Sequence, residues 1–529
     1  MPRYITPSDL NDLMDESATL ALVDVREQGE YNEAHIPGST CLPRRLLELR
    51  MRELVPFLGT RVMVCDDDGP RADLASGTLD RMGYPGVFVL EGGIDRWASE
   101  GYPTEWGTNV LSKDFGEKVQ VQQRVPEIGP EELYDWLQKG KEVVMLDSRT
   151  PEEHQQFCIP GSRSVPGGEL ALRIWDIVGD SQRLVVVHCA GRTRSIIGAS
   201  TLQRLGLPMV YGLRNGTMGW QLAGLELETG SRQMELPPVS PEGLSKAEAF
   251  AQRVAMEDGV AYLDVQGLQG LMARADRENV YLIDVRTSEE FTGGHIPGFR
   301  WYPGGQAIQQ SDDVVGVRNG QIVFCCDGVV RASVTGSWFR QMGFPNVYAV
   351  DGGISKWSAQ GLPLEGGTPS AEPFGYRDAR AEVEMVSPPE LKKALETSQQ
   401  VVIFVDTSRD YAGGHVPGAR WAPRGWLELW IEEMVSSKNS AVVVTCADGL
   451  GSVLAGATLM GLGYRKVSVL DGGMEAWRAA GLPIERGLTG VMAPPTDLIS
   501  IGAGRNFAQA INYLRWEEEL GRKYETEPM

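Results

Sequence analysis

The stretch LVVVHCAGRTRSIIGASTLQRL, residues 184–205, indicates how this chain folds. It opens with a short apolar run rich in valine, which is typical of a strand covered on both faces. Cys189 follows this run directly, and the pattern from Arg194 to Leu205 is helical. A strand that passes through a tight loop into a helix is the building unit of parallel α/β sheets.

Three short signatures recur around such a stretch. The first is an Asp that closes an apolar run, as in LALVDVR, EVVMLDSR, VYLIDVR and VVIFVDTS. The second is a turn of the type His-Ile-Pro-Gly, which begins at His35, Cys158, His295 and His415. The third is a glycine turn followed by a tryptophan, namely Trp97, Trp220, Trp357 and Trp477. Repetition at fixed spacing indicates four copies of one structural unit.

The intervals between the signatures place the four copies in one register. From the first residue of the second signature to the start of the polar loop there are 31 positions in every copy, and the loop starts are Asp66, Cys189, Cys326 and Cys446. From the Asp to the turn there are 11 positions in copies 1 to 3, but 9 between Asp406 and His415 in copy 4. We therefore expect copy 4 to be shorter in this segment.

Strands alternate with helices in each copy, which predicts an α/β fold of four tandem domains, each a parallel sheet flanked by helices. The predicted domains are residues 1–106, 124–230, 258–366 and 382–487, joined by polar or Pro-rich linkers. Residues 488–529 are predicted to form a C-terminal tail with a helix near 506–520. The four tryptophans are expected to pack in the domain cores.

The composition restricts the partners and the compartment. The chain of 529 residues is 42% hydrophobic, and its formal net charge of −21 opposes binding to nucleic acid or to an anionic membrane surface. We see neither a secretory signal nor a membrane-spanning run. The seven cysteines are an odd number and are spread along the chain, which predicts reduced thiols in the cytoplasm.

These motifs resemble the rhodanese, or thiosulfate sulfurtransferase, family. The resemblance rests on Asp-Val-Arg, then Gly-His-Ile-Pro-Gly, then Cys-Ala-Gly-Arg-Thr-Arg-Ser at 189–195, then the glycine turn with its tryptophan. It implies four rhodanese-like domains that move sulfane sulfur from thiosulfate or a related donor through a cysteine persulfide. The implied acceptor is cyanide, a thiol or a protein. Because some domains of multi-domain members are inactive, each loop is assessed separately.

Copy 2 carries the best candidate for the nucleophile, Cys189. Backbone N–H groups that converge at a helix N-terminus favour an anion and activate a thiol. A glycine in the loop lets the backbone curl close to the sulfur, and two arginines add positive charge for an anionic donor. The residues predicted to bind the substrate here are Gly191, Arg192, Thr193, Arg194 and Ser195.

The other three loops depart from this pattern. Cys326 and Cys446 are predicted as further nucleophiles, and Arg331 as a further residue that binds the substrate. Asp327 places a negative charge beside Cys326, while the loop of copy 4 contains no arginine. Copy 1 has Asp66 in the nucleophile's place, and a carboxylate cannot carry persulfide sulfur. We therefore expect copy 1 to be inactive.

The histidines of the second signature are expected to stabilise a turn rather than to act as acid–base groups, because copy 2 replaces its histidine with Cys158. Three histidines in separate turns do not make a metal site. The sequence predicts neither a metal nor a cofactor.

Two other functions stay open. A scaffold with degenerate domains, or a sensor of redox state or sulfide, would account for the altered loops of copies 1 and 4. A cysteine-dependent phosphatase needs five residues between its Cys and Arg, whereas Cys189 and Arg194 have four between them.

Overall fold

The structure, a computed structural model, describes residues 2–16, 18–179, 181–369, 372–397, 400–499 and 505–525. The chain divides into two compact units. The first consists of Met1–Thr108 and Ser370–Ile499, and the second of Asn109–Pro369 and Ser500–Met529. Copies 1 and 4 therefore share one unit, and copies 2 and 3 share the other.

Each copy contributes five strands. In copy 1 they are β1 (Tyr4–Ile5), β2 (Leu20–Asp24), β3 (Thr40–Cys41), β4 (Arg61–Cys65) and β5 (Val87–Leu90). In copy 2 they are β6 (Glu127–Ile128), β7 (Val144–Asp147), β8 (Arg163–Ser164), β9 (Val185–His188) and β10 (Val210–Leu213). In copy 3 they are β11 (Ala261–Leu263), β12 (Val280–Asp284), β13 (Arg300–Trp301), β14 (Gln321–Cys325) and β15 (Val347–Val350). In copy 4 they are β16 (Glu384–Val386), β17 (Val401–Phe404), β18 (Arg420–Trp421), β19 (Ala441–Thr445) and β20 (Lys466–Leu470).

Helices connect these strands. Copy 1 has α1 (Pro7–Asp15), α2 (Gln28–Glu33), α3 (Leu47–Leu54), α4 (Pro70–Arg81) and α5 (Gly93–Ser99). Copy 2, with the helix that precedes it, has α6 (Val110–Gln123), α7 (Pro130–Gln138), α8 (Pro151–Gln156), α9 (Leu170–Val178), α10 (Thr193–Leu205) and α11 (Gly216–Leu222). Copy 3 and its preceding linker have α12 (Pro241–Asp258), α13 (Val265–Met272), α14 (Ser288–Gly293), α15 (Gly304–Gln309), α16 (Ser311–Val314), α17 (Val330–Gln341) and α18 (Gly353–Ala359). Copy 4 and the tail have α19 (Tyr376–Glu382), α20 (Pro388–Thr397), α21 (Ser408–Gly413), α22 (Leu427–Met434), α23 (Leu450–Gly461), α24 (Gly473–Ala479) and α25 (Phe507–Glu525).

The four sheets share one topology. The first has the order β1-β5-β4-β2-β3, and the other three repeat that order with parallel pairing. This confirms the predicted α/β class, with four parallel sheets flanked by helices. The central strand of each sheet, β4, β9, β14 or β19, leads into the polar loop. Sites in such sheets form at the carboxyl ends of the strands, where these loops lie.

The tryptophans of the third signature lie in the cores, as the sequence predicts. Trp97 is fully buried, and its indole N–H donates to the carbonyl oxygen of Pro103 over 2.8 Å. Trp220, Trp357 and Trp477 make the corresponding bond to a carbonyl six residues ahead. Each ring thereby fixes the end of its helix against the following segment.

The expected shortening of copy 4 is wrong. Asp24 pairs with the last residue of β4, and in copy 4 the residue in this register is Phe404, which pairs with Thr445 of β19. Phe404 precedes His415 by 11 positions, so no residue is missing. Asp406 instead stands where the other copies have an arginine, two positions after the strand's Asp. An aromatic residue in the Asp position hid this correspondence in the sequence.

Among the residues that the structure describes, no helix is both long enough and apolar enough to span a membrane.

Candidate active-site loops

Each polar loop lies between the central strand of its sheet and the N-terminus of the next helix. In copy 2, Cys189 follows β9 and α10 begins at Thr193. The glycine turn before α11 packs against this loop, since the N–H of Thr217 donates to the carbonyl oxygen of Cys189 over 2.9 Å. A Cβ atom on Gly216 would lie 2.2 Å from that oxygen, and the φ of Gly216 is 52°. The third signature is therefore part of the wall of the loop.

Copy 1 shows that the loop cradles an anion. The carboxylate of Asp66 is buried at the loop start and accepts hydrogen bonds from three backbone N–H groups. These belong to Gly69 at 2.6 Å, Arg71 at 2.7 Å and Ala72 at 3.2 Å. Burial raises the pKa of Asp66, and the three bonds oppose that rise. Successive N–H groups that converge in this way form an anion-binding nest.

Copies 3 and 4 place a cysteine sulfur in the same cradle. The N–H groups of Gly449 and Ser452 donate to the sulfur of Cys446 over 3.1 and 3.3 Å. The backbone N–H groups of Gly328 and Ala332 form hydrogen bonds with Cys326. The cradle is thus a property of the loop backbone and not of one side chain.

Cys189 occupies the corresponding position in copy 2. Its side chain is 3% exposed, and its sulfur lies 3.6 Å from the hydroxyl oxygen of Ser195. That hydroxyl donates to the carbonyl oxygen of Arg192 over 2.7 Å, which holds the loop in its curled form. The register with Asp66 assigns the converging N–H groups to Arg192, Arg194 and Ser195.

The two loop arginines are each paired with a carboxylate. Arg192 donates from Nε to Glu117 of α6 over 2.6 Å and from Nη2 over 3.0 Å. Burial raises the pKa of Glu117 to about 7, even though Arg192 opposes that rise. Glu127 also lies 3.3 Å from Arg192. The guanidinium group of Arg192 therefore faces α6, and its predicted contact with a donor would have to compete with Glu117.

Arg194 is held from two domains. Its Nη1 and Nη2 donate to the carboxylate of Glu153 over 2.7 and 2.8 Å, and Nη1 also donates to the side-chain oxygen of Gln306 over 3.2 Å. Glu153 accepts from the Thr150 N–H at the start of α8, so a capping box fixes its position. Burial lowers the pKa of Arg194, but Glu153 and, to a smaller extent, the charge of Cys189 raise it above its ordinary value. Arg194 is therefore near enough to Cys189 for their charges to interact.

The same strand, loop and helix signatures identify the family. The sequence profile of the Rhodanese-like domain matches residues 6–100, 129–223, 268–360 and 387–480. The chain belongs to the rhodanese family.

Similar proteins agree with this assignment. A crystal structure of a thiosulfate sulfurtransferase from Pseudomonas aeruginosa superposes with a TM-score of 0.90 at 36% identity, covering 99% of this chain and 98% of that one. A sulfurtransferase from Allochromatium vinosum is 33% identical over 119 residues, which are 22% of this chain and 99% of the relative. The thiosulfate sulfurtransferase YnjE of Escherichia coli is 25% identical over 310 residues, 47% of this chain and 68% of the relative.

Rhodanese domain 3 has an acidic neighbour at its loop. Burial, together with the charge of Asp327, raises the pKa of Cys326 to about 12. Arg331 is fully buried and donates to Asp327 over 2.8 Å. It also reaches Glu290 of its own domain and Glu169 of domain 2, both through Nη1, at 2.6 and 2.7 Å. Arg331 is therefore enclosed by three carboxylates.

The loop of rhodanese domain 4 contains no arginine, and acidic side chains surround its cysteine. Burial raises the pKa of Cys446 to about 12, and Asp406 and Asp448 contribute to the rise. Asp406, Cys446 and Asp448 each bring one ligand-type atom within 4.8 Å of the others. Asp406 stands where domains 1 to 3 have an arginine, so an anion on Cys446 meets repulsion from two sides.

The turn histidines behave as the sequence predicts. The rings of His35, His295 and His415 stack on an aromatic residue four positions earlier, at centroid distances of 3.7–3.9 Å. Each Nδ1 lies within hydrogen-bond distance of a backbone carbonyl oxygen in the same helical turn. These contacts hold the turn together.

One residue at the Cys189 loop, Glu517, is not among the predicted site residues. The C-terminal helix α25 packs on α6 and on the loop of domain 2, where the Thr193 hydroxyl donates to Glu517 over 3.3 Å. The helix itself is predicted by the sequence, but no motif connects it with Cys189. Glu517 lies on the same face of the helix as Ala510 and Leu514. A glutamate on an otherwise apolar face is the one sequence signal that could have indicated a polar or charged neighbour.

Proposed function

We propose that this protein is a sulfurtransferase that moves sulfane sulfur from thiosulfate or a related donor to a thiophilic acceptor through a persulfide on Cys189. One observation carries the proposal. Cys189 stands at the loop position where domain 1 holds the Asp66 carboxylate with three backbone N–H groups. A cradle that holds one anion stabilises a thiolate or persulfide in the same position.

The chemistry follows from this position. The Cys189 thiolate attacks the sulfane sulfur of thiosulfate, the S–S bond of the donor breaks, and sulfite leaves with the bonding electron pair. The persulfide anion that forms stays in the cradle. A cyanide ion or a thiolate then attacks the outer sulfur, and the Cys189 thiolate is regenerated with the electron pair of the persulfide bond.

Arg194 supports this cycle through charge. It lies close enough to Cys189 to interact electrostatically, while its bidentate pairing with Glu153 fixes its geometry. The remaining loop residues, Gly191, Thr193 and Ser195, shape the cradle. Arg192 acts more remotely, because its guanidinium group is turned towards Glu117.

The other three domains differ in their expected capacity to carry sulfur. Cys326 is a second, weaker site, since Asp327 opposes an anionic donor there and Arg331 offers its charge to three carboxylates. Cys446 is the weakest of the three. Domain 1 cannot carry sulfur, and this favours a scaffolding role for it. All seven cysteines are free thiols, which suits a reducing compartment such as the cytoplasm.

Peptide mapping tests the proposal directly. The full chain, treated with thiosulfate, should gain about 32 Da, one sulfur atom, on the Cys189 peptide. Cys189→Ser should abolish most thiosulfate-dependent thiocyanate formation. Cys158→Ser is the matched control, because Cys158 is equally buried in the same domain but lies in the turn opposite Glu228. Wild-type turnover in Cys189→Ser would overturn the assignment.

A further inference from the structure

The helix α25 lies outside the four segments that match the rhodanese profile, yet it contacts the loop of domain 2. Leu514 and Ala510 of this helix form a buried cluster with Met218, which follows the glycine turn. Tyr524, near the other end, donates from its hydroxyl to Asp114 of α6 over 2.6 Å. The helix is thus fixed at both ends, and its middle lies over the Cys189 loop.

Glu517 is the residue of α25 that reaches the loop. It is 2% exposed, and its Oε1 accepts hydrogen bonds from Tyr513 at 2.7 Å and from Thr193 at 3.3 Å. Its Oε2 is buried and has no hydrogen-bond partner among the described residues. A Cβ built on Gly191 would lie 3.1 Å from Oε2, so this oxygen points at the backbone of the loop.

The charges around the loop explain what Glu517 does there. Arg192 is matched by Glu117 and Arg194 by Glu153, as described above. Lys113 of α6, whose pKa burial lowers to about 8, interacts with Glu517 itself. Burial raises the pKa of Glu517, and the charges of nearby cations, Lys113 first among them, oppose that rise. In its charged form Glu517 places a negative charge behind the loop, and this charge opposes a dianion more strongly than a monoanion.

We propose that Glu517 is a specificity-determining residue of the Cys189 site, which makes the site favour monoanionic sulfane donors over dianionic thiosulfate. The inference rests on the proposed sulfurtransfer at Cys189 and names the class of donor for it. Methanethiosulfonate represents that class, because it has a methyl group in place of one charged oxygen of thiosulfate. The Cys189 thiolate attacks its sulfane sulfur, the S–S bond breaks, and methanesulfinate leaves with the electron pair.

The test compares these two donors in the full chain. Glu517→Gln removes the charge but keeps an oxygen for Thr193 and Tyr513, and Glu519→Gln removes the same charge from a side chain of α25 that is 59% exposed. The measured quantity is the ratio of kcat/KM for methanethiosulfonate to kcat/KM for thiosulfate. Loss of folded protein cancels in this ratio, so a destabilised variant still gives an answer.

We expect the ratio to fall by about tenfold in Glu517→Gln, because the second negative charge of thiosulfate no longer meets a buried charge of the same sign. Glu519→Gln should leave the ratio unchanged, because its charge is screened by solvent. A ratio that does not change in Glu517→Gln, while both donors still load Cys189, overturns the role of Glu517 and leaves the proposed function standing. If neither donor loads Cys189 in the wild-type chain, the proposed function fails and the inference fails with it.

Discussion

Replacement of Arg194 with alanine should slow sulfur transfer at Cys189 for two reasons. It removes the cation that interacts with Cys189, and it leaves the buried carboxylate of Glu153 without its bidentate partner. Burial would raise the pKa of Glu153, but Arg194 keeps it below its usual value. Loss of one charge-assisted contact costs about 1.5–3 kcal/mol. We therefore expect kcat/KM for thiosulfate to fall by about 10- to 100-fold.

The thiosulfate–cyanide assay and peptide mapping of persulfide measure this loss. In the double variant Arg194→Ala, Glu153→Gln the unpaired carboxylate is gone, so part of the activity should return. Arg183→Ala is the control, because Arg183 is 48% exposed and pairs with an exposed glutamate of the same domain. An unchanged kcat/KM in Arg194→Ala would refute the reasoning. A double variant that is no more active than the single one would show that the unpaired carboxylate of Glu153 does not contribute to the loss.

Three further predictions concern the other loops. Domain 1 should stay free of persulfide with every sulfane donor, and sulfur found on Cys65 by peptide mapping would contradict this. Asp66→Ala leaves three buried N–H groups without their acceptor, so the free energy of local opening in α4 should fall by about 2 kcal/mol, seen as faster hydrogen exchange. Asp327→Asn removes a charge that raises the pKa of Cys326 above its ordinary value, so the thiolate fraction and the rate of iodoacetamide alkylation at pH about 8 should rise. An alkylation rate equal to that of the wild type would show that burial alone sets that pKa.

The sequence predicts the sheets and the loops because their signals are local. Valine runs, the loop that starts at Cys189 and the glycine turn each depend on residues close together in the chain, and their spacing repeats. Copy 4 shows the limit of this approach. Its strand ends in Phe404 where the other copies have an Asp, so an alignment on Asp406 gave a false gap.

The charge balance of the site could not be predicted, because it depends on pairs distant in sequence. Arg192 meets Glu117 from the helix that precedes the domain, and Thr193 meets Glu517, which lies 324 positions further along the chain. Two arginines in a loop look like a binding site for a dianion as long as their partners are unknown. Helical periodicity indicates that α25 buries one face, but it cannot indicate what that face covers.

The contacts that cross between domains 2 and 3 connect their two loops. Arg194 of domain 2 reaches Gln306 of domain 3, and Arg331 of domain 3 reaches Glu169 of domain 2. Both arginines belong to the loops that carry the candidate nucleophiles. If sulfur on one cysteine alters these contacts, thermodynamic linkage requires that it change the affinity of the other cysteine for sulfur, and by an equal factor in both directions. Under the proposed function, sulfur loading of domains 2 and 3 would then be cooperative, with the two cross-domain contacts as the coupling element.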